Sequence, residues 1–178
     1  MRTDWRGRGA AFAVLGLGAL LGGCAAPETR PEPRAETAPP RDLLAEVRAA
    51  AVAAEAEGID VSPLREPVVE DLRASAAQRE AAGDFAGAEA ALEHALRLVP
   101  GDPELLQWRA ELALARGALD DAVRLAGESY ELGPRLGALC RRSWTVIRLA
   151  RELTGHPDAA ATAQHQLDRC TLAPPVRM

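Results

Sequence analysis

From Asp42 onward the apolar positions recur with the period of an α-helix. Leu43, Val47, Ala50 and Ala54 fall three or four apart, Asp42 stands at an N-cap position and Gly58 ends the run. This pattern predicts a helix over 42–58. The stretch Ile59–Pro67 holds two prolines and reads as a loop. A second stripe follows in Ala88, Ala91, Leu92, Ala95, Leu96 and Val99, and a third in Leu105, Trp108, Leu112, Ala115 and Leu119. The third helix also carries Leu106, Ala110, Ala113 and Leu114, so it is apolar on most sides and belongs in the middle of a stack. Arg135–Leu153 predicts another long helix, with Leu139, Trp144, Ile147 and Leu149 apolar. Gly155-His156-Pro157 turns the chain, and Asp158 is expected to cap a last helix running to about Cys170. Pro174-Pro175 ends the fold.

The middle of this pattern repeats. Gly83, Phe85, Ala88, Leu92, Ala95, Leu98 and Pro100 have counterparts 34 residues later in Gly117, Leu119, Ala122, Ala126, Ser129, Leu132 and Pro134. Glycine at 83 and 117 lets each helix pair turn, and proline at 100 and 134 stops its second helix. A 34-residue period is that of tetratricopeptide repeats. Gly83-Asp84-Phe85-Ala86-Gly87-Ala88 resembles the inter-helix turn of that family and Ala95-Leu96-Arg97-Leu98-Val99-Pro100 its repeat end. Ser75 and Arg109 depart from it, standing where a large apolar residue is usual. The hairpin folding at Gly155 is four residues longer than its predecessors, which suits a divergent third unit or a cap over the last apolar face.

The N-terminus has a different character. Arg2, Arg6 and Arg8 precede an apolar run, Ala10–Leu21, that at 12 residues is too short for a membrane-spanning helix of about 20. A basic flank, a short apolar run and small residues before a cut site make a secretory signal. Leu21-Gly22-Gly23-Cys24 resembles the lipobox of bacterial lipoproteins, which implies that Cys24 is lipidated and becomes the mature N-terminus. Ala25 and Ala26 follow, with no Asp at the sorting position; by the same resemblance this implies the outer membrane, facing the periplasm. Between Ala25 and Arg41 lie Pro27, Pro31, Pro33, Pro39 and Pro40 among Glu and Arg. Such a segment buries little apolar surface and predicts a disordered tether reaching about 3 Å per residue.

Charge and composition narrow the function. Residues 1–23 carry three arginines and one aspartate, so their removal takes the formal charge from −5 to −7. An acidic mature chain does not suit non-specific nucleic-acid binding. All 21 basic residues are Arg, which excludes phosphate-loop, Schiff-base and lysine-base chemistry. No GxSxG, HExxH or glycine-rich phosphate loop occurs, so neither catalytic residue nor cofactor is expected. Cys140 and Cys170 lie 15 residues on either side of Gly155, at one level of an antiparallel hairpin. In an exported protein that pair predicts a disulfide, the alternative being two buried free thiols. A zinc site from Cys140, Cys170 and His165 lacks the close Cys or His pairs of structural sites, and no metal is expected.

The tetratricopeptide resemblance implies a partner groove lined by the first helix of each pair. By repeat position it contains Glu70, Arg73 and Glu80 in the first unit and Gln107, Glu111 and Leu114 in the second. Arg73 and Gln107 suit peptide carbonyls or a carboxylate. The plain alternative is that these are ordinary solvated residues. Trp108 and Trp144 lie in apolar stripes and read as core. The expectation is therefore an all-α, short tetratricopeptide-like solenoid of antiparallel helix hairpins, behind a signal peptide (1–23) and a disordered tether (24–41). An N-terminal helix (42–58) and a loop (59–68) lead into the helical domain (69–172), with units at about 69–102 and 103–134 and a divergent hairpin at 135–171. The function expected is a membrane-anchored, non-catalytic scaffold or adaptor for an envelope protein or peptide segment. A pilotin-like or secretion and pilus assembly accessory lipoprotein is the alternative, and an accessory factor of cell-wall metabolism the third.

Overall fold

The computed structural model describes residues 41–55 and 66–171. The signal segment, Cys24, the tether as far as Pro40, the end of the first predicted helix, most of the 59–68 loop and Pro174-Pro175 lie outside the described residues. Among the described residues the secondary structure is seven α-helices: α1 (Leu43–Glu55), α2 (Pro67–Ala81), α3 (Phe85–Leu98), α4 (Pro103–Ala115), α5 (Leu119–Leu132), α6 (Gly137–Leu153) and α7 (Pro157–Asp168). None is long and apolar enough to cross a membrane. The helices α2–α3, α4–α5 and α6–α7 form three successive hairpins, each packed on the next through its neighbouring helices.

The helix starts follow local chemistry. Asp42 accepts a hydrogen bond from the Ala45 N–H at 2.9 Å, and Asp84 from the Gly87 N–H at 2.9 Å. Asp102 accepts from both Glu104 and Leu105 N–H groups, at 2.9 and 3.0 Å. Each satisfies donors that an α-helix leaves unpaired at its first turn. Proline opens α2, α4 and α7, where its missing N–H removes no bond.

The three hairpins use one turn. Gly83, Gly117 and Gly155 adopt φ of 77°, 77° and 73°, in the left-handed region that a side chain disfavours. In the first turn the Gly83 N–H reaches Glu80 O at 2.9 Å and the Asp84 N–H reaches Arg79 O at 2.8 Å. Gly117 with Ala118, and Gly155 with His156, repeat both bonds. This is the Schellman arrangement, with glycine just past the helix end.

Two details differ from the sequence expectation. The sixth helix begins at Gly137 rather than Arg135, because Leu136 is extended (φ −141°) and Gly137 takes φ 79°. Asp158 lies inside the first turn of α7; His156 is the N-cap and no side chain caps that end, since Pro157 already opens the helix.

The core lies in two clusters that share α4. Leu105 and Leu112 face Val69, Ala76, Ala88, Leu92 and Ala95 of the first hairpin. Leu106, Ala110, Ala113 and Leu114 face Val47, Ala122, Leu125, Ala126, Val146, Leu149 and Ala150. Each fully buried leucine contributes about 1.5–3 kcal/mol by leaving water. Serving both clusters is why α4 is apolar on nearly every side.

Candidate functional site

The first helix of each hairpin (α2, α4 and α6) carries the candidate residues. Arg73 and Glu80 belong to α2, Gln107, Trp108 and Glu111 to α4, and Arg142 and Ser143 to α6. Arg73 and Glu80 are seven apart and Gln107 and Glu111 four apart, so the turns of α2 and α4 bring each pair onto one side of its helix, and Arg142 and Ser143 of α6 meet Glu111 and Gln107 there.

Most of these side chains join in one network. The Glu111 carboxylate is fully buried. Its Oε1 accepts from Arg142 Nε at 2.7 Å and from Gln107 Nε2 at 3.1 Å, and its Oε2 from Arg48 Nε at 3.3 Å. Arg142 Nη2 adds a second contact to Oε1 at 2.6 Å. Arg48 also meets Glu80 through Nη1 at 2.7 Å, and Glu80 accepts from the Trp108 indole N–H at 2.6 Å. Gln107 accepts in turn from the Ser143 hydroxyl at 2.9 Å. Buried charges need this density of partners, because each ion has lost its water.

Glu80 and Arg48 titrate accordingly. Burial pushes the Glu80 carboxyl up, but hydrogen bonds from Arg48 and Trp108 outweigh it and hold it below 4.5. The bond to Glu80 raises Arg48 above its ordinary value, against the opposing effect of burial.

Arg48 belongs to α1, which no repeat spacing had marked. Helix α1 lies along α6 and touches α4 but does not pack on α2. Val47 reaches zero exposure, in one cluster with Leu106, Ala110 and Leu114. Arg141 Nε donates to Ala50 O at 2.8 Å. Glu46 meets Arg148 at 2.6 Å and Arg41 at 2.7 Å, and Arg41 reaches Glu152 at 3.2 Å.

This changes the expected groove. Gln107, Glu111 and Leu114 are not open to a partner: their exposures are 0, 0 and 1%. Helices α1 and α6 pack over that part of α4, and the first two are consumed by internal hydrogen bonds. Glu80 joins the same network with 13% of its side chain exposed. Glu70 and Arg73 remain near solvent at the other end, with side chains 51% and 21% exposed. Arg73 lies 5.6 Å from the Trp108 ring centroid and 3.5 Å from Glu104. Its Nη1 is buried and has no acceptor among the described residues. Trp108 is thus both a partly buried packing residue of the first core and a member of this face. Trp144 packs edge-on against Tyr130, ring centroids 5.0 Å apart.

Repeat spacing was enough to find α2 and α4 residues. Extending it one more unit from Gln107 reaches Arg141 to Ser143, so that signal was present for α6. Arg48 had none, because α1 precedes the repeats.

At the start of α6 the structure joins Cys140 and Cys170 in a disulfide, with Cα atoms 5.6 Å apart and a sequence separation of 30. The Gly137 N–H donates to Cys170 O at 2.8 Å beside it. Both sulfurs are therefore engaged with each other.

The Tetratricopeptide repeat family model matches residues 80–128, from the end of α2 through most of α5. No curated protein matches the chain. Among solved structures, the globular C-terminal domain of P. aeruginosa LpoP is similar, with a TM-score of 0.55 and 30% sequence identity, over 59% of this chain and 99% of that one. The chain belongs to the tetratricopeptide-repeat family and is similar in fold to the LpoP C-terminal domain.

Proposed function

We propose that this chain is an envelope lipoprotein, anchored through lipid on Cys24 at the outer membrane and facing the periplasm, that acts as a non-catalytic adaptor for a protein partner. The observation that carries the reading is the α2 end of the first-helix face, where among the described residues α1 does not pack on α2. There Arg73, flanked by Glu70, Glu104 and Trp108, keeps a guanidinium nitrogen that has no acceptor among the described residues. With 21% of its side chain exposed, Arg73 has N–H groups to offer a peptide carbonyl or carboxylate at that face. The repeat family supports protein binding as the general activity.

The test is photocrosslinking in cells. A crosslinker placed at Glu70 is expected to capture an envelope protein that the same group at Arg97 (63% exposed, on α3) does not. Arg73→Glu should abolish the capture while leaving the melting temperature within a few degrees. If both positions capture the same set, or Arg73→Glu changes nothing, the α2–α4 face is not the partner surface. Blocking lipidation with Cys24→Ser should release the protein from the membrane fraction; retention there refutes the anchor.

A further inference from the structure

We infer that α1 is a ligand held in cis: the α4–α6 part of the first-helix face is a receptor for a helix bearing one arginine next to a small aliphatic residue, and a partner segment of that chemistry binds by taking α1's place. This rests on the adaptor reading and names the class of partner.

Charge balance is the first argument. Around the tip of Arg48 the face presents two carboxylates, Glu80 and Glu111, and one guanidinium of its own, Arg142; Arg141 and Arg148 of α6 meet other parts of α1. Arg48 supplies the missing cation. With α1 lifted away, Glu111 still accepts from Arg142 and Gln107, and Glu80 from Trp108. Neither acid is then left without hydrogen bonds, so the receptor persists, with one cation fewer around Glu80 and Glu111.

The second argument is how little of α1 is core. Among its described side chains only Val47 and Ala51 are buried, while Val52 is 64% exposed. Leu43 adds a partly buried contact with the same cluster, and the remaining attachment is polar, through Arg48, Glu46 with Arg148, and Arg141 on Ala50 O. Arg48 itself has 45% of its side chain exposed, so the ion pairs at its tip exchange with solvent. Pairs of this kind set orientation and specificity more than affinity.

The third is covalent. The six repeat helices are paired by short glycine turns, whereas eleven residues separate Glu55 from Pro67. A segment on such a connection acts as a tethered ligand at millimolar effective concentration, which a partner overcomes only by binding better. The face thereby selects against weak arginine-bearing helices and admits strong ones.

The experiment uses the full chain and a fluorescent peptide of residues 41–55 as the probe. The Arg48→Ala chain, whose own helix lacks the cation, is expected to bind the peptide at least tenfold tighter than the unaltered chain. The peptide carrying Arg48→Gln should show no such gain. Equal binding to both chains, or a gain that does not depend on the peptide's arginine, overturns the inference. Hydrogen exchange on the unaltered chain gives a second reading that needs no variant. The amides of α1 should exchange faster than those of α4 and α6; exchange of α1 only together with the whole domain makes it a fixed structural helix and overturns the inference as well. Neither measurement involves an envelope partner, so failure of the crosslinking at Glu70 is separable from failure here.

Discussion

Breaking the Cys140–Cys170 bond should lower the stability of the domain by about 3.6 kcal/mol. The bond closes a loop of 30 residues. In the chain-entropy model the unfolded chain then loses about 12 cal/mol/K, which at 25 °C is about 3.6 kcal/mol. Unfolding entropy near 60 °C runs at about 2.1 cal/mol/K per residue, so a domain of about 130 residues has about 0.27 kcal/mol/K, and the melting temperature should fall by about 13 °C. The assay is calorimetry with and without a non-thiol reductant, alongside the Cys140→Ala/Cys170→Ala chain, with intact mass reporting the loss of two hydrogens in the oxidised form. The bond sits where α6 and the end of α7 already meet through Gly137 N–H and Cys170 O. If reduction is complete by mass and the melting temperature falls by less than about 3 °C, that local contact already constrains the ends and the unfolded-state argument fails. Labelling of both cysteines in the unreduced protein refutes the bridge itself.

Other outcomes follow from the same contacts. Glu111→Ala should cost about 2–3 kcal/mol in urea denaturation, somewhat under the usual figure for a broken buried pair because Arg48 and Arg142 both reach water. Glu111→Gln should cost less, since its amide oxygen still accepts from Arg142; equal costs would refute the charge argument. Gly83→Ala and Gly117→Ala should each cost about 1–2 kcal/mol, from the left-handed backbone alone, because no atom lies within 4 Å of the added methyl. Acid should loosen α1 first. A hydrogen bond from Arg41, with help from Arg148, holds Glu46 below 4.5 against burial, and Glu80 is held below 4.5 as described. A carboxyl depressed in the folded state stabilises it fully above 4.5, and that contribution is lost as pH falls through the lower folded value. Exchange protection in α1 should therefore drop below pH 4.5 while α3 and α5 stay protected; simultaneous loss would refute the order.

The helices and hairpins were legible because their signals are local. An aspartate cap acts within three residues, a glycine turn within six, and an apolar stripe within one helix. Gly83 and Gly117 were readable as turns because only glycine takes φ near 77° cheaply, and the double core on α4 because its apolar residues cover most sides. Gln107 and Glu111 were placed correctly on first helices by a 34-residue period, yet their surroundings were misread. Period says which side of a helix a residue occupies, not what later covers that side.

What the sequence by itself determined is the helical repeat, its turns and caps, and the level at which Cys140 and Cys170 face each other. All of these arise from interactions between near neighbours or from equal spacing about one turn. Only the tertiary structure decided that α1 docks on α4 and α6, that Arg48 joins Glu80 to Glu111, and that Gln107, Glu111 and Leu114 are buried. The physical reason is that docking of a helix depends on a summed surface: one valine, two carboxylates short of a cation, and a carbonyl within reach of Arg141. Those groups lie from about 30 to 90 residues away from Arg48 and Ala50 in sequence and become one site only when the hairpins stack.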